Sequence, residues 1–433
     1  MKIFYYFFTI IIAMSNVAKA NIIRDSEIEE AVSLVIKPLK KVSGLNDLKI
    51  YIINDTEPNA FTAGGDEVFI SSGLITNYPD PDVLRGVVAH EIGHILGQHI
   101  SRRQEVIDNY KKAAIASTAL GLATAMGGGA AEGLAIAMGG AHVSERSIYA
   151  YSRTFESSAD QTALKLLEKS GHSSIGLIKF FEGVKRLSAN RIFNVYDQTH
   201  PLSDERLLIA RSFNKRSRFS NSQDTDQLVY KYVRSAAKLA AFTLDTDKVL
   251  DYKFAEQSDE IERYVKAIRC FRLGKFDDAL NHINFLLIRH PDDPYYHELK
   301  AQIYFEAGKK AALHEYELAE QQKPDDVLIR LGKAIVGMTG NMDNSNPRVL
   351  DKYYKDLLFV VERDPDNLLA LHYMAIYYEK TGLIGKGYLN TALISLKSGR
   401  TADAAKMAAA AMKILPKNSP DWYKAGDILA ATK

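Results

Sequence analysis

Apolar residues along this chain recur mostly at helical spacing, with short exceptions near its start. Val83, Leu84, Val87, Val88, Ile92, Ile95 and Leu96 fall at three- and four-residue intervals, which predicts a helix that is largely buried. Asp80-Pro81-Asp82 ahead of it supplies a turn, a helix start and a favourable first-turn carboxylate. Leu48 to Ile53 and Val68-Phe69-Ile70 are rich in β-branched and aromatic residues and read as strands, with Gly64-Gly65 available for a turn between them. The segment opening at Arg153 continues through Ala163, Leu164, Leu166 and Leu167 as a further helix, and Leu228 to Phe242 predicts another.

From about residue 260 a loose period of roughly 34 residues sets in, as in tetratricopeptide repeats. Gly274 and Gly308 are 34 residues apart, while Pro291 and Pro324 are 33 apart and each is followed by two aspartates that can begin a helix. Pro365 and Pro416 are less regularly placed, and the period is interrupted around Gly340 to Pro347. Ala267, Ala279, Ala301 and Ala392 supply small side chains where antiparallel helices approach closely. Such arrays stack helix pairs into a surface suited to extended segments or partner helices.

The first twenty residues read as a secretory signal peptide: Lys2, an apolar run from Ile3 to Met14, and Ala18-Lys19-Ala20 for cleavage after Ala20. Export follows as an expectation, and the single Cys270 permits no internal disulfide, so it reads as a small core residue. With 55 basic and 53 acidic residues and no long block of one sign, the chain carries no nucleic-acid footprint. Ser220 to Asp226 is polar and reads as an exposed linker or loop. Residues 113–141 are nearly all Ala, Gly, Ile, Leu and Met. They suit a hairpin in peripheral contact with a membrane, a lid over a substrate groove, or small-residue helices packed on the core.

The candidate chemistry lies in His90-Glu91-Ile92-Gly93-His94. Imidazoles four apart share one helix face, about one turn distant, and can bind one metal ion, with Glu91 beside them. Zinc would lower the pKa of a water there from ~15.7 toward ~7, and Glu91 could take its proton as general base. Two surface histidines are the bland alternative, but in a buried helix such groups are costly unless something pairs with them. A catalytic zinc site needs a third protein ligand. The continuation His-x-x-Gly-x-x-His stops at Ile100. His99 lies ~180° around a continuing helix from His90 and ~14 Å along it, so it reads as a polar residue at a helix end. Glu156 and Asp160 are four apart on a later helix. Glu156 can be a ligand while Asp160 accepts a ring N–H from a ligating histidine. The same spacing also describes a solvated helix face.

His90-Glu91-x-x-His94, Glu156-x-x-x-Asp160 and His200-Pro201-x-x-x-x-Arg206, in that order, resemble metallopeptidase family 48. Asn59-Ala60-Phe61-x-x-Gly64-Gly65-x-x-Val68-x-Ile70-x-x-Gly73-Leu74 resembles the strand region preceding the family's zinc helix. The resemblance implies a mainly α (α+β), zincin-like helical metallopeptidase domain with a small β-sheet, here followed by an α-solenoid of tetratricopeptide-like repeats. It implies one Zn2+ per chain on His90, His94 and Glu156, with Glu91 as catalytic base. Arg206 is implied near the active site, holding a carboxylate or stabilising oxyanion charge. For His200 two roles stay open: donating to the tetrahedral intermediate, or occupying the fourth zinc position and keeping the enzyme latent. An extended substrate could add to an edge strand by the zinc, with the turn Ala63-Gly64-Gly65 alongside.

Together with the repeats, the resemblance reaches exported bacterial members of the family and covers nearly the whole mature chain. It implies a periplasmic endopeptidase of envelope quality control that cleaves misfolded or misassembled outer-membrane proteins. The repeats would recruit unfolded envelope polypeptides or an outer-membrane assembly complex. A chaperone or scaffold with a largely latent zinc site is the competing class, whereas a membrane-embedded prenyl-protein protease lacks its long apolar spans. The expected division is a signal peptide at 1–20, a metallopeptidase domain at 21–225, a bridging helix and linker at 226–258, and repeats at 259–433.

Overall fold

The computed structural model describes residues 22–102, 153–189, 195–250, 258–341 and 346–432. The expected signal peptide and the apolar segment 113–141 lie outside the described residues. Contacts group the chain into two compact units, one within 31–236 and the other combining 22–30 with 237–250 and 258–432. Among the described residues no helix is long and apolar enough to cross a membrane. The fold is mainly helical, with one small sheet.

In the first unit, β1 (Lys49–Ile53), β2 (Ala60–Thr62) and β3 (Glu67–Ser71) lie in the order β1-β3-β2. β3 runs parallel to β1 and antiparallel to β2. Alternation sorts their side chains: Ile52, Val68 and Ile70 are buried, whereas Tyr51, Phe69 and Phe61 stack in a row on the other face with ring centroids 5.2 Å apart. The helices of this unit are α1 (Ser26–Ser43, its first turn counted with the other unit), α2 (Ser72–Asn77), α3 (Pro81–Leu96), α4 over 153–170, α5 (Ile175–Ala189), α6 (Val195–Thr199) and α7 (Asp204–Arg216). The edge strand β2 packs beside α3.

Helix α3 begins as its sequence predicts. The Asp80 carboxylate accepts from the Asp82 N–H, Pro81 occupies the first turn, and every residue from Val83 to His94 is buried. Two features seat it. Arg85, fully buried, donates to both Asp224 carboxylate oxygens at 2.9 and 2.8 Å, to Asp82 at 2.6 Å and to the Val35 carbonyl at 3.3 Å. The run Ser220–Asp226, expected as an exposed linker, is therefore anchored at Asp224, because a buried guanidinium needs a carboxylate. At Gly93 any Cβ would stand 2.6 Å from the Ala159 carbonyl oxygen, so α3 and α4 meet backbone to backbone.

The second unit contains ten helices after residue 258 among those described: α8 (Asp259–Arg272), α9 (Phe276–Arg289), α10 (Pro294–Glu306), α11 (Ala312–Gln322), α12 (Val327–Thr339), α13 (Asp351–Arg363), α14 (Leu368–Lys380), α15 (Ile384–Lys397), α16 (Thr401–Ile414) and α17 (Pro420–Ala431). Each packs on the next, so the array is a run of helical pairs. The periodic glycines end helices: Gly274, Gly308, Gly382 and Gly399 all have φ between 67° and 75°, and the following N–H reaches five residues back. The expected aspartates begin helices, with Asp293 and Asp326 each accepting two backbone N–H bonds. Ala267, Ala279, Ala301 and Ala392 are completely buried, while Cys270 is only half-buried. Residues 24–30 are held within this unit. Arg24 pairs with Asp364 at 2.8 Å, Ser26 donates to Asp326 at 2.6 Å, and Tyr264 donates to Glu27 at 2.8 Å.

Candidate metal centre

Helix α3 carries His90 and His94 one turn apart, and the backbone contact at Gly93 brings in Glu156 and Asp160 from α4. His90 Nε2 lies 3.1 Å from His94 Nε2 and 3.4 Å from Glu156 Oε2, and His94 Nε2 lies 3.4 Å from Glu156 Oε1. His200, which follows α6, puts Nδ1 3.4 Å from His90 Nε2 and 3.2 Å from both Glu156 oxygens. One donor atom from each of these four residues lies within 4.8 Å of all the others, and all four side chains are buried.

These spacings fit a cation. Donors ~2.0–2.1 Å from a tetrahedral divalent ion stand about 3.3–3.4 Å from one another. The lone pairs are free to serve: His90 Nδ1 faces Asp160 Oδ1 at 2.9 Å, so the proton belongs there and Nε2 points into the cluster. Burial opposes charge on His90, yet Asp160 and Glu156 outweigh it and lift its pKa to about 9. Burial, then the neighbouring rings, push His94 down to about 2. The carboxylates thus attract positive charge that the crowded rings cannot all supply as protons, and a metal ion satisfies every donor at once. Although burial opposes its ionisation, Glu156 is held well below the usual carboxylate range by His200 and His90.

Glu91 is the exception in this network. It is fully buried, neither carboxylate oxygen has a hydrogen-bond partner, and its closest ionic neighbour is His200 Nε2 at 3.8 Å. Burial raises its pKa, only partly offset by His200 and His90. Arg206 on α7 clamps the carboxylates, with Nε and Nη2 on Asp160 at 2.6 and 2.9 Å and Nη1 3.2 Å from Glu156. The same guanidinium donates to the carbonyls of His200 and Pro201 at 3.3 and 2.9 Å, which ties the His200 loop to α4. Ala63, Gly64 and Gly65 occupy the exposed turn between β2 and β3, outside this cluster.

Two neighbours were not assigned a part by sequence reasoning. Tyr196 on α6 stacks on the His200 ring at 4.6 Å, is almost fully buried, and has a hydroxyl with no hydrogen-bond partner. His99 places Nδ1 3.0 Å from His94 Nδ1. A straight helix would carry His99 to the far side, but α3 ends at Leu96 and Gln98 adopts a φ of 52°, which turns the chain back. Gly97 was the available signal that the helix stops in time.

Comparison with known proteins places the chain among metallopeptidases. Residues 23–213 match the model of peptidase family M48, so the chain carries a domain of this family, whose metallopeptidases use a metal ion. It is 24% identical over 335 residues to the beta-barrel assembly-enhancing protease of Escherichia coli (strain K12), covering 73% of this chain and 66% of that protein. The chain therefore spans just under two thirds of that relative's length. A putative beta-barrel assembly-enhancing protease of Vibrio cholerae is 26% identical over 275 residues, covering 59% of this chain and 54% of the relative. The metalloprotease YcaL of Escherichia coli is 34% identical over 160 residues, 36% of this chain and 58% of its own length.

Proposed function

We propose that this chain is a zinc-dependent endopeptidase of the bacterial envelope. It would be exported to the periplasm and act on misfolded or misassembled outer-membrane proteins. The observation that carries the reading is the convergence of His90, His94 and Glu156 beside a buried, unpartnered Glu91. Zinc on those three residues would supply Lewis acidity, polarising a substrate carbonyl and making water a better acid. Glu91, with its raised pKa, takes the proton of the attacking water and returns it to the leaving amine. Asp160 keeps the His90 proton on Nδ1, and Arg206 holds both carboxylates in place. Strand β2, at the edge beside α3, gives an extended substrate main-chain partners. The names of the relatives support a role in barrel assembly, and the paired helices after residue 258 suit recruitment of unfolded segments or an assembly complex.

His200 supports a latent resting state. Its Nδ1 stands among the other donors, as a fourth ligand would. Cleavage of a denatured outer-membrane protein should rise in His200→Ala, and an unchanged or abolished rate would exclude a purely inhibitory part. Glu91→Gln tests the hydrolase itself. It should cut cleavage by about 10²–10⁴-fold with zinc content preserved. Full cellular complementation by Glu91→Gln would favour the scaffold reading instead.

A further inference from the structure

Of the three metal-facing residues on α3 and α4, His90 and Glu156 have evident outer partners in Asp160 and Arg206, but His94 has neither. Its ring meets His99. We infer that His99 is a positioning residue for the metal centre, locking the His94 ring and joining the two helices that supply the donors. The inference rests on the metal-binding reading above.

Three observations carry it. His94 Nδ1 and His99 Nδ1 are 3.0 Å apart. A histidine that offers Nε2 to a metal keeps its proton on Nδ1, so His94 donates and His99 Nδ1 accepts, which leaves the His99 proton on Nε2. Second, a face of the His99 ring lies against Phe155 with centroids 4.5 Å apart and planes 17° from parallel. Phe155 immediately precedes Glu156, so one buried ring touches both the His94 ligand and the strip of α4 that carries the Glu156 ligand. Third, the backbone is shaped to bring it there. Gln98 takes the left-handed conformation at φ 52°, and a Cβ on Gly97 would fall 2.2 Å from His99 Nε2. Only a glycine at 97 leaves room for the ring in this position, and His99 itself is 5% exposed.

The test uses the full chain and zinc alone as probe, with affinity read by competition against a chromophoric chelator. His99→Phe retains a ring for Phe155 but removes the acceptor. Zinc binding should weaken by roughly 10–100-fold, the loss typical of an outer partner, while the melting temperature of the zinc-free chain stays the same. His99→Asn places an oxygen near the site of Nδ1 and should recover part of that loss. Gly97→Ala displaces an intact imidazole and should weaken zinc binding as well. In the cobalt-substituted protein, the visible bands should shift in His99→Phe and return toward the parent in His99→Asn. Affinity of His99→Phe within twofold of the parent would overturn the inference. So would equal weakening by Phe and Asn, which would make the ring a packing element only. Failure of the parent chain to bind zinc would instead remove the metal reading on which this inference stands.

Discussion

The metal centre and the charge cluster around Lys238 both gather several carboxylates around one fixed cation, yet only the metal centre adds converging imidazoles. In the second unit, Lys238 on the helix Asp226–Thr243 is 3% exposed and lies 2.8 Å from Asp25, 3.4 Å from Glu27 and 3.9 Å from Glu298. A covalently attached ammonium sits among oxygens, and Tyr264 donates a further hydrogen bond to Glu27. At the metal centre, Arg206 supplies a fixed cation to Asp160 and Glu156 from one side, while on the other Glu156 faces ring nitrogens whose lone pairs converge. Burying acids is therefore not what makes a metal site. The donor set must also be rich in convergent lone pairs, which the cluster around Lys238 is not.

Lys238→Met attacks the second unit's side of the contrast most severely. Removing the cation strips Asp25, Glu27 and Glu298 of their shared ammonium, which should cost about 3–5 kcal/mol of stability, measured by urea unfolding, with zinc content unchanged. Glu156→Ala attacks the other side. Structural zinc sites bind with ~10–16 kcal/mol over about four ligands, so losing one should weaken zinc by roughly 3 kcal/mol, or about a hundredfold, in chelator competition. The same substitution should leave hydrogen exchange in residues 259–432 as in the parent.

Gly93→Ala sharpens the comparison without altering any donor. Its methyl group meets the Ala159 carbonyl oxygen, so α4 must retreat. A stability loss of about 1–3 kcal/mol and weaker zinc binding should appear together. The smallest effect concerns pH. Burial lifts Glu298 to about 8, against the pull of Lys238. A carboxyl whose folded pKa exceeds its unfolded value stabilises the fold fully below the unfolded pKa of about 4.5, and that contribution fades as pH rises toward 8. Glu298→Gln should therefore flatten the decline in melting temperature between pH 5 and 8. An unaltered slope would show that Lys238 holds Glu298 ionised throughout.

Much of this architecture is legible in the residues themselves. Helix α3, its start at Asp80-Pro81 and the strands flanking the Gly64-Gly65 turn follow from local patterns. So do the helix-ending glycines at 274 and 308, because the left-handed conformation and a missing Cβ are properties of one residue. Asp224 shows the opposite. Within Ser220–Asp226 it looks like any loop acid, and only the buried guanidinium of Arg85, far away in sequence, makes it an anchor. Tyr196 is equally silent until α6 lays it on His200.

The sequence by itself determined the donor types and their pairing along each helix: His90 with His94, Glu156 with Asp160, and Glu91 between the imidazoles. Helical periodicity acts over a few residues, so such pairings need no knowledge of the fold. Tertiary structure alone decided that Glu156 and His200 reach the same point as the imidazoles, that Arg206 clamps both acids, and that His99 returns to His94. Those outcomes depend on how closely two backbones approach at Gly93 and on one left-handed residue at Gln98, distances and angles that no local pattern specifies.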